Sequence, residues 1–91
     1  MSTIHLTIKG KVQGVFFRAT AKDIAVKLNI TGWIKNTDEG DVEALVSGTD
    51  SDLKEFIKWC KAGPEKADVT DVISEYEKET AFAEFKIIRG K

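Results

Sequence analysis

The chain has 91 residues, a length that holds one hydrophobic core, and we expect residues 1–91 to form a single domain. With 42% apolar and 32% charged residues it has the composition of a globular domain, which excludes a disordered segment. The 14 Lys and Arg nearly balance the 15 Asp and Glu, and no basic stretch interrupts the mixed pattern, so a general nucleic-acid or membrane-surface role is disfavoured.

The first half of the chain is typical of a strand, a helix and a hairpin. Alternation of Ile4, Leu6 and Ile8 with polar residues predicts a strand with one buried face. After a turn region at residues 10–14, apolar residues recur at helical spacing and predict an amphipathic helix that ends before Thr31-Gly32. These residues are Ala21, Ile24, Ala25 and Leu28. Residues 30–36 and 42–46, separated by an acidic turn, then predict the two strands of a hairpin.

The second half predicts another helix and two strands. Asp50, Ser51 and Asp52 offer N-cap chemistry, and an apolar stripe follows until Gly63-Pro64 stops the helix. The stripe consists of Leu53, Phe56, Ile57 and Cys60. Residues 69–76 are rich in β-formers, and Phe85 with Ile87 predicts a short terminal strand. This order predicts an α+β protein: a ferredoxin-like α/β sandwich, βαββαβ with an extra short C-terminal strand, whose antiparallel-rich sheet carries two helices on one face.

The single His and single Cys remove several kinds of chemistry. His5 lies inside the first strand, on the face opposite the apolar row, which favours a solvated sheet histidine over a catalytic one. Cys60 completes the apolar helix stripe, which favours a buried, inert thiol. One Cys allows neither an intramolecular disulfide nor a thiolate metal cage, and apolar runs never exceed three residues. We therefore expect a cytoplasmic protein without a metal or cofactor.

A glycine-bearing loop at residues 10–18 leaves the first strand and enters the first helix. A helix N-terminus presents unpaired N–H groups and a partial positive charge, and glycines let the preceding backbone turn further N–H groups inward. Arg18 adds a planar fork of donors that matches two phosphate oxygens. The loop is not a Walker loop, because Gly-Lys-Ser/Thr is missing. Glycine spacing by itself leaves an anion site and a plain tight turn both open.

Asn36 ends the second predicted strand. In the predicted sandwich the first two strands run parallel with the third between them, so the loop and Asn36 emerge at the same sheet edge, roughly 10 Å apart. Asn36 shares strand parity with Ile34 and Ile30, so its amide should point toward the first helix N-terminus. The alternative interpretation is an Asn that caps a turn.

Both stretches resemble the signatures of the acylphosphatase family. Val12-Gln13-Gly14-Val15-Phe16-Phe17-Arg18 is similar to the family's V-Q-G-V-x-F/Y-R motif. Gly32-Trp33-Ile34-Lys35-Asn36, the spacing to Gly40, and Val42-Glu43 resemble the second motif, with Ile34 where Val is usual. Later landmarks, among them Gly63-Pro64 and Phe85, extend the resemblance over essentially the whole chain.

The resemblance implies hydrolysis of the carboxyl-phosphate bond of an acyl phosphate, without metal, to a carboxylate and inorganic phosphate. It implies that Arg18 and Asn36 are catalytic, with Arg18 holding phosphoryl oxygens and Asn36 orienting the attacking water. The backbone N–H groups that would bind phosphate are those of Gln13, Gly14, Val15, Phe16, Phe17 and Arg18. The expected partners are a small-molecule acyl phosphate and inorganic phosphate, with no nucleic acid and no membrane, and the expected state is a monomer.

A non-catalytic ferredoxin-like module that binds an anion or a protein is the alternative from another class. An RNA-binding sheet needs stacking aromatics in its third strand, whereas residues 41–46 have none. A metal carrier needs paired Cys in the first loop, and none occurs there. A protein-binding patch on the open sheet face would comprise Trp33, Leu45 and Tyr76.

Overall fold

The computed structural model describes residues 1–89, which form five strands and two helices. In chain order these are β1 (Ser2–Lys11), α1 (Phe17–Lys27), β2 (Thr31–Asn36), β3 (Val42–Gly48), α2 (Asp50–Ala62), β4 (Asp68–Glu77) and β5 (Phe85–Ile88). The order of elements confirms the predicted βαββαβ arrangement with an extra C-terminal strand.

The strands form one mixed sheet in the order β4-β1-β3-β2-β5. Every neighbouring pair is antiparallel except β2 and β5, which run parallel. Because β1 and β2 are both antiparallel to β3 between them, they run parallel to each other. The two helices pack beside each other against the sheet. This is the predicted ferredoxin-like α+β sandwich, with β5 added beside β2.

The core lies between the sheet and the helices, as the two periodicities of the sequence predict. Ile4, Leu6 and Ile8 of β1 are buried, while His5 and Thr7 lie on the other face of the sheet and are half-buried. The helices contribute Phe17, Ala21 and Ala25 from α1 and Leu53, Phe56 and Cys60 from α2. Burial of these apolar side chains is the dominant favourable term in folding.

The loop between β1 and α1 begins two residues later than the predicted turn region. β1 continues through Gly10 and Lys11, because a register shift after Lys9 lets both residues pair with β4. Gly10 has a φ of 123°, and a Cβ at this position would clash with the carbonyl oxygen of Asp68. Gly10 therefore belongs to a β-bulge, and the connecting loop consists only of residues 12–16.

The α2 helix begins at a different cap from the predicted one. The hydroxyl oxygen of Thr49 accepts a hydrogen bond from the Asp52 amide at 3.1 Å, so Thr49 is the N-cap instead of Asp50, Ser51 or Asp52. Asp50 and Asp52 lie in the first turn, where their charges complement the helix dipole. The C-terminal end follows the prediction, since Gly63 ends the helix with a φ of 69°.

Candidate active site

The loop of residues 12–16 is anchored by its apolar residues and turned outward by its positive φ angles. Val12 and Val15 are buried in the core, whereas Gly14 and Phe16 are exposed. Gly14 has a φ of 73° and Phe16 a φ of 63°. A left-handed backbone is uncommon for a bulky residue such as Phe16, and such strain concentrates at functional sites. The loop therefore combines a buried apolar anchor with a strained, exposed backbone at Phe16.

The N-terminus of α1 keeps its amide groups available to a ligand. Within residues 1–89, no side chain caps it, and its first turn contains no acidic residue. The first amides of a helix have no partner within the helix and carry the positive end of its dipole. The α2 helix differs, because the Thr49 hydroxyl caps its N-terminal end and two aspartates lie in its first turn. An anion at the start of α1 would supply the partner that those side chains supply in α2.

Arg18 and Asn36 line one cavity of about 390 Å³. Arg18 lies in the first turn of α1 and Asn36 is the last residue of β2, so the fold joins two segments that are separate in the sequence. Both side chains are half-buried. Of the other predicted loop residues, Gly14, Phe16 and Phe17 also line the cavity, whereas Gln13 and Val15 do not.

The amide oxygen of Asn36 has no hydrogen-bond partner among residues 1–89, although it is buried. Leaving a buried polar atom unpaired costs about 1–3 kcal/mol, so such an atom calls for an explanation. The amide oxygen and nitrogen can exchange places by a flip of the side chain. Asn36 therefore lines the cavity while its amide oxygen, buried away from solvent, lacks a partner among the described residues.

The side chain of Gln13 bonds to the turn between β2 and β3. Its Nε2 donates to the carbonyl oxygens of Thr37 at 2.9 Å and Asp41 at 2.8 Å. Both acceptors belong to the turn between β2 and β3, which directly follows Asn36. The side chain of Gln13 thus fixes the loop against the segment that carries Asn36.

Arg89 is a cavity-lining residue that was not predicted from the sequence. It follows β5 directly and is exposed, and Ile87 of the same strand also lines the cavity. The alternation of Phe85, Ile87 and Arg89 was the available signal, because residues two apart in a strand share a face. Without the position of β5 in the sheet, that signal does not say which site Arg89 would join.

The acidic turn beside the site does not contribute to the cavity. Asp38, Glu39 and Asp41 are absent from its lining among the described residues. The carboxylate of Asp41 is paired with Lys9, with Nζ and Oδ2 3.0 Å apart. The described part of the lining contains two cationic side chains and no acidic one, an arrangement that favours an anionic ligand.

His5 and Cys60 lie away from the cavity. The Nε2 atom of His5 is 2.6 Å from a carboxylate oxygen of Glu43 on the open face of the sheet. Cys60 is buried in α2, and burial raises the pKa of its thiol. Neither residue is placed to act on a ligand held by Arg18.

Two further features are absent from residues 1–89. No group of three or more His, Cys, Asp and Glu side chains is arranged to hold a metal ion. The two helices are too short and too polar to span a membrane.

Comparison with known proteins gives a consistent result. The family model described as acylphosphatase matches residues 4–87. A curated acylphosphatase of Haloarcula marismortui is 44% identical over 73 residues, which are 80% of each chain. Among solved structures, an acylphosphatase from Coxiella burnetii superposes with a TM-score of 0.92 at 37% identity, over 96% of this chain and 92% of that one. One from Bacillus subtilis gives 0.93 at 32% identity, over 97% and 99%.

Proposed function

Because this chain belongs to the acylphosphatase family, we propose that it hydrolyses the carboxyl-phosphate bond of acyl phosphates, with Arg18 and the loop amides binding the phosphoryl group and Asn36 positioning water. The observation that carries this proposal is the meeting of Arg18, Asn36 and an uncapped helix N-terminus at one cavity. An anion-binding loop alone would serve many functions, but an amide side chain at the same cavity adds a group that would position a nucleophile.

The phosphoryl group would sit at the start of α1. There it would accept hydrogen bonds from backbone amides of the loop and lie at the positive end of the helix dipole. Arg18 projects from the first turn of α1, so its guanidinium fork would bind two phosphoryl oxygens. Because the transition state spreads charge over the equatorial oxygens, these contacts stabilise it as well as the ground state.

The attacking water would be held by Asn36. Its amide offers both a donor and an acceptor, and a flip of the side chain exchanges the buried oxygen with the nitrogen. A water bound there would approach phosphorus from the β2 side of the cavity. Holding water and phosphoryl group in reacting geometry is a large source of rate in a site without a strong base.

The proton would go to the substrate. The water oxygen forms a bond to phosphorus while the bond from phosphorus to the acyl oxygen breaks, and the bonding electrons leave with the carboxylate. One water proton moves to a phosphoryl oxygen, so a dianionic acyl phosphate gives a carboxylate and a dihydrogen phosphate monoanion. A carboxylate is a weak base and leaves without a general acid, and an amide such as that of Asn36 is no base.

The direct experiment is the release of inorganic phosphate from acetyl phosphate by the purified protein, with and without EDTA. We expect turnover that EDTA does not change and that Arg18→Gln abolishes. Lys22→Gln is the matched control, because Lys22 is an exposed cation of the same helix that is not among the described cavity residues. Hydrolysis equal in the Arg18 variant and the wild-type protein would refute the assignment.

The alternative is a module that binds an anion without catalysing a reaction. The same cavity would serve that function if Asn36 held no water. The two functions separate in one comparison. A binding module would be stabilised by phosphate against thermal unfolding and would release none from acetyl phosphate, whereas an enzyme shows both effects.

A further inference from the structure

We propose that Arg89 is a second anion-binding residue of this site, whose guanidinium contacts the phosphoryl group together with Arg18. The inference rests on the proposed function, since it assigns a further contact to the same substrate. It adds a residue from the opposite end of the chain, outside both sequence motifs.

The pairing of β5 with β2 places Arg89 beside Asn36. The two strands are parallel, with Ile34 opposite Ile87 and Lys35 opposite Ile88. The next residues along the two segments are Asn36, which ends β2, and Arg89, which directly follows β5. Neighbouring strands lie about 4.8 Å apart, and an arginine side chain reaches farther than that distance. Asn36 is two residues after Ile34, and Arg89 is two residues after Ile87, so extended backbone places them on the same face of the sheet. Both residues line the cavity.

The position beside Asn36 decides which part of the substrate Arg89 would meet. In phosphoryl transfer the attacking and leaving oxygens lie roughly in line on opposite sides of phosphorus. With water held by Asn36, the acyl group departs on the far side of phosphorus. Arg89 lies beside Asn36 on the water side, so its guanidinium would meet the phosphoryl oxygens rather than the acyl oxygen.

The exposures of the two arginines give them different tasks. Arg18 is half-buried in the first turn of α1, whereas Arg89 is exposed at the end of β5. An exposed cation attracts an anion from solution and reaches it without a large desolvation cost. Arg18 would bind two phosphoryl oxygens at the loop, and Arg89 would reach the third from the mouth of the cavity.

The test compares Arg89→Gln, Arg89→Lys and Lys86→Gln at low ionic strength. Lys86→Gln is the matched control, since Lys86 lies on β5, the strand that Arg89 directly follows, and its variant removes the same charge. Lys86 pairs opposite Trp33 on the other face of β5 and interacts with Glu84 instead, with Nζ and Oε2 3.6 Å apart. Two quantities are measured for each: competitive inhibition of acetyl phosphate hydrolysis by inorganic phosphate, and the thermal stabilisation that phosphate gives.

We expect Arg89→Gln to weaken phosphate inhibition and lower kcat/KM by about tenfold or more, the size of one charge-assisted hydrogen bond. Arg89→Lys should restore part of the effect, because it keeps the charge but loses the fork. Lys86→Gln should behave as wild type. Phosphate carries no acyl group, so a loss of kcat/KM without any change in phosphate inhibition would overturn the assignment to the phosphoryl group. Equal effects of Arg89→Gln and Lys86→Gln would mean that Arg89 acts only through its positive charge. That result would also overturn the assignment to the phosphoryl group.

Failure of the proposed function gives a different result. A wild-type protein without hydrolytic activity refutes the enzyme, but stabilisation by phosphate needs no turnover. If phosphate then stabilises the wild type and not Arg89→Gln, the inference for Arg89 stands without the reaction. If Arg89→Gln is stabilised by phosphate as strongly as wild type, the inference is wrong whatever the activity.

Discussion

The carboxamide nitrogen of Gln13 donates a hydrogen bond of 2.8 Å to the carbonyl oxygen of Asp41, across the gap between the loop before α1 and the turn after β2. The same nitrogen donates to Thr37 at 2.9 Å, so both of its hydrogens are used. Thr37 and Asp41 also bond to each other through backbone and hydroxyl groups. One side chain therefore couples the loop that would bind phosphate to the turn that follows Asn36.

Gln13→Glu should uncouple these two segments. Glutamate has nearly the same shape but no N–H group, so two carbonyl oxygens would face a carboxylate and the turn would shift. We expect kcat to fall by about tenfold or more, because a small misplacement of the water is costly, while phosphate inhibition changes less. Gln13→Met keeps the length without the charge and should show the same split. If both variants lose phosphate binding and turnover in equal proportion, Gln13 does not act by positioning Asn36.

Arg18→Gln and Asn36→Ala should separate binding from chemistry. Arg18 would touch the phosphoryl group in both ground and transition states, so its loss should remove phosphate inhibition and turnover together. Asn36→Ala should reduce kcat by about a hundredfold or more, as for the loss of one preorganised polar group, and leave phosphate inhibition nearly normal. Turnover and competition by phosphate, measured on both variants, check this. Normal turnover in Asn36→Ala would show that Asn36 does not position the water and only ends the strand.

The same Asn36→Ala variant carries a second expectation, on stability. The Asn36 amide oxygen is buried without a partner among residues 1–89, so its removal breaks no bond there and ends an unfavourable burial. We expect the variant to unfold at a temperature equal to or above that of wild type, despite its lower kcat. A clear decrease in Tm would show that the side chain serves the fold. The measurement is thermal unfolding by circular dichroism in phosphate-free buffer.

Gly14→Ala should weaken the phosphate site through the backbone. Gly14 has a φ of 73°, which disfavours a residue with a Cβ, although no described atom lies within 4 Å of where that Cβ would be. The expected loss of stability is therefore modest, about 1 kcal/mol, and the loop should relax away from its binding conformation. Phosphate inhibition and phosphate-induced stabilisation should both decline. Gly40→Ala is the comparison, since Gly40 has a φ of 91° and equally open surroundings in the turn between β2 and β3.

Cys60 should affect stability at high pH without affecting catalysis. Burial raises the pKa of its thiol in the folded protein, so above the ordinary thiol pKa only the unfolded chain releases the proton. The free energy of unfolding should then fall by up to about 1.4 kcal/mol per pH unit above roughly pH 8.5. Cys60→Ala should lose this contribution to the slope and keep its turnover per folded molecule. Urea denaturation of both proteins between pH 7 and pH 10 checks it, and parallel pH curves would contradict it.

Local periodicity in the sequence determined much of the fold. Alternation in β1 and helical spacing in α2 depend on which side chains share a face, and a window of about ten residues contains that information. The order of elements, with the rules for short and right-handed connections, then leads to the sandwich. The same reasoning predicted that Arg18 and Asn36 lie near one sheet edge, because parallel strands bring their ends together, while their proposed roles came from the two family motifs.

Only the tertiary structure decided the contacts between segments far apart in the chain. The parallel pairing of β5 with β2 brings Arg89 to the cavity, and nothing local to residues 85–89 specifies that partner strand. Likewise Gln13 bonds to backbone oxygens of Thr37 and Asp41, atoms that every residue type provides and that no sequence pattern marks. The physical reason is that strand order and side chain to backbone hydrogen bonds depend on how the whole core packs, whereas periodicity reports only which face of one element is buried.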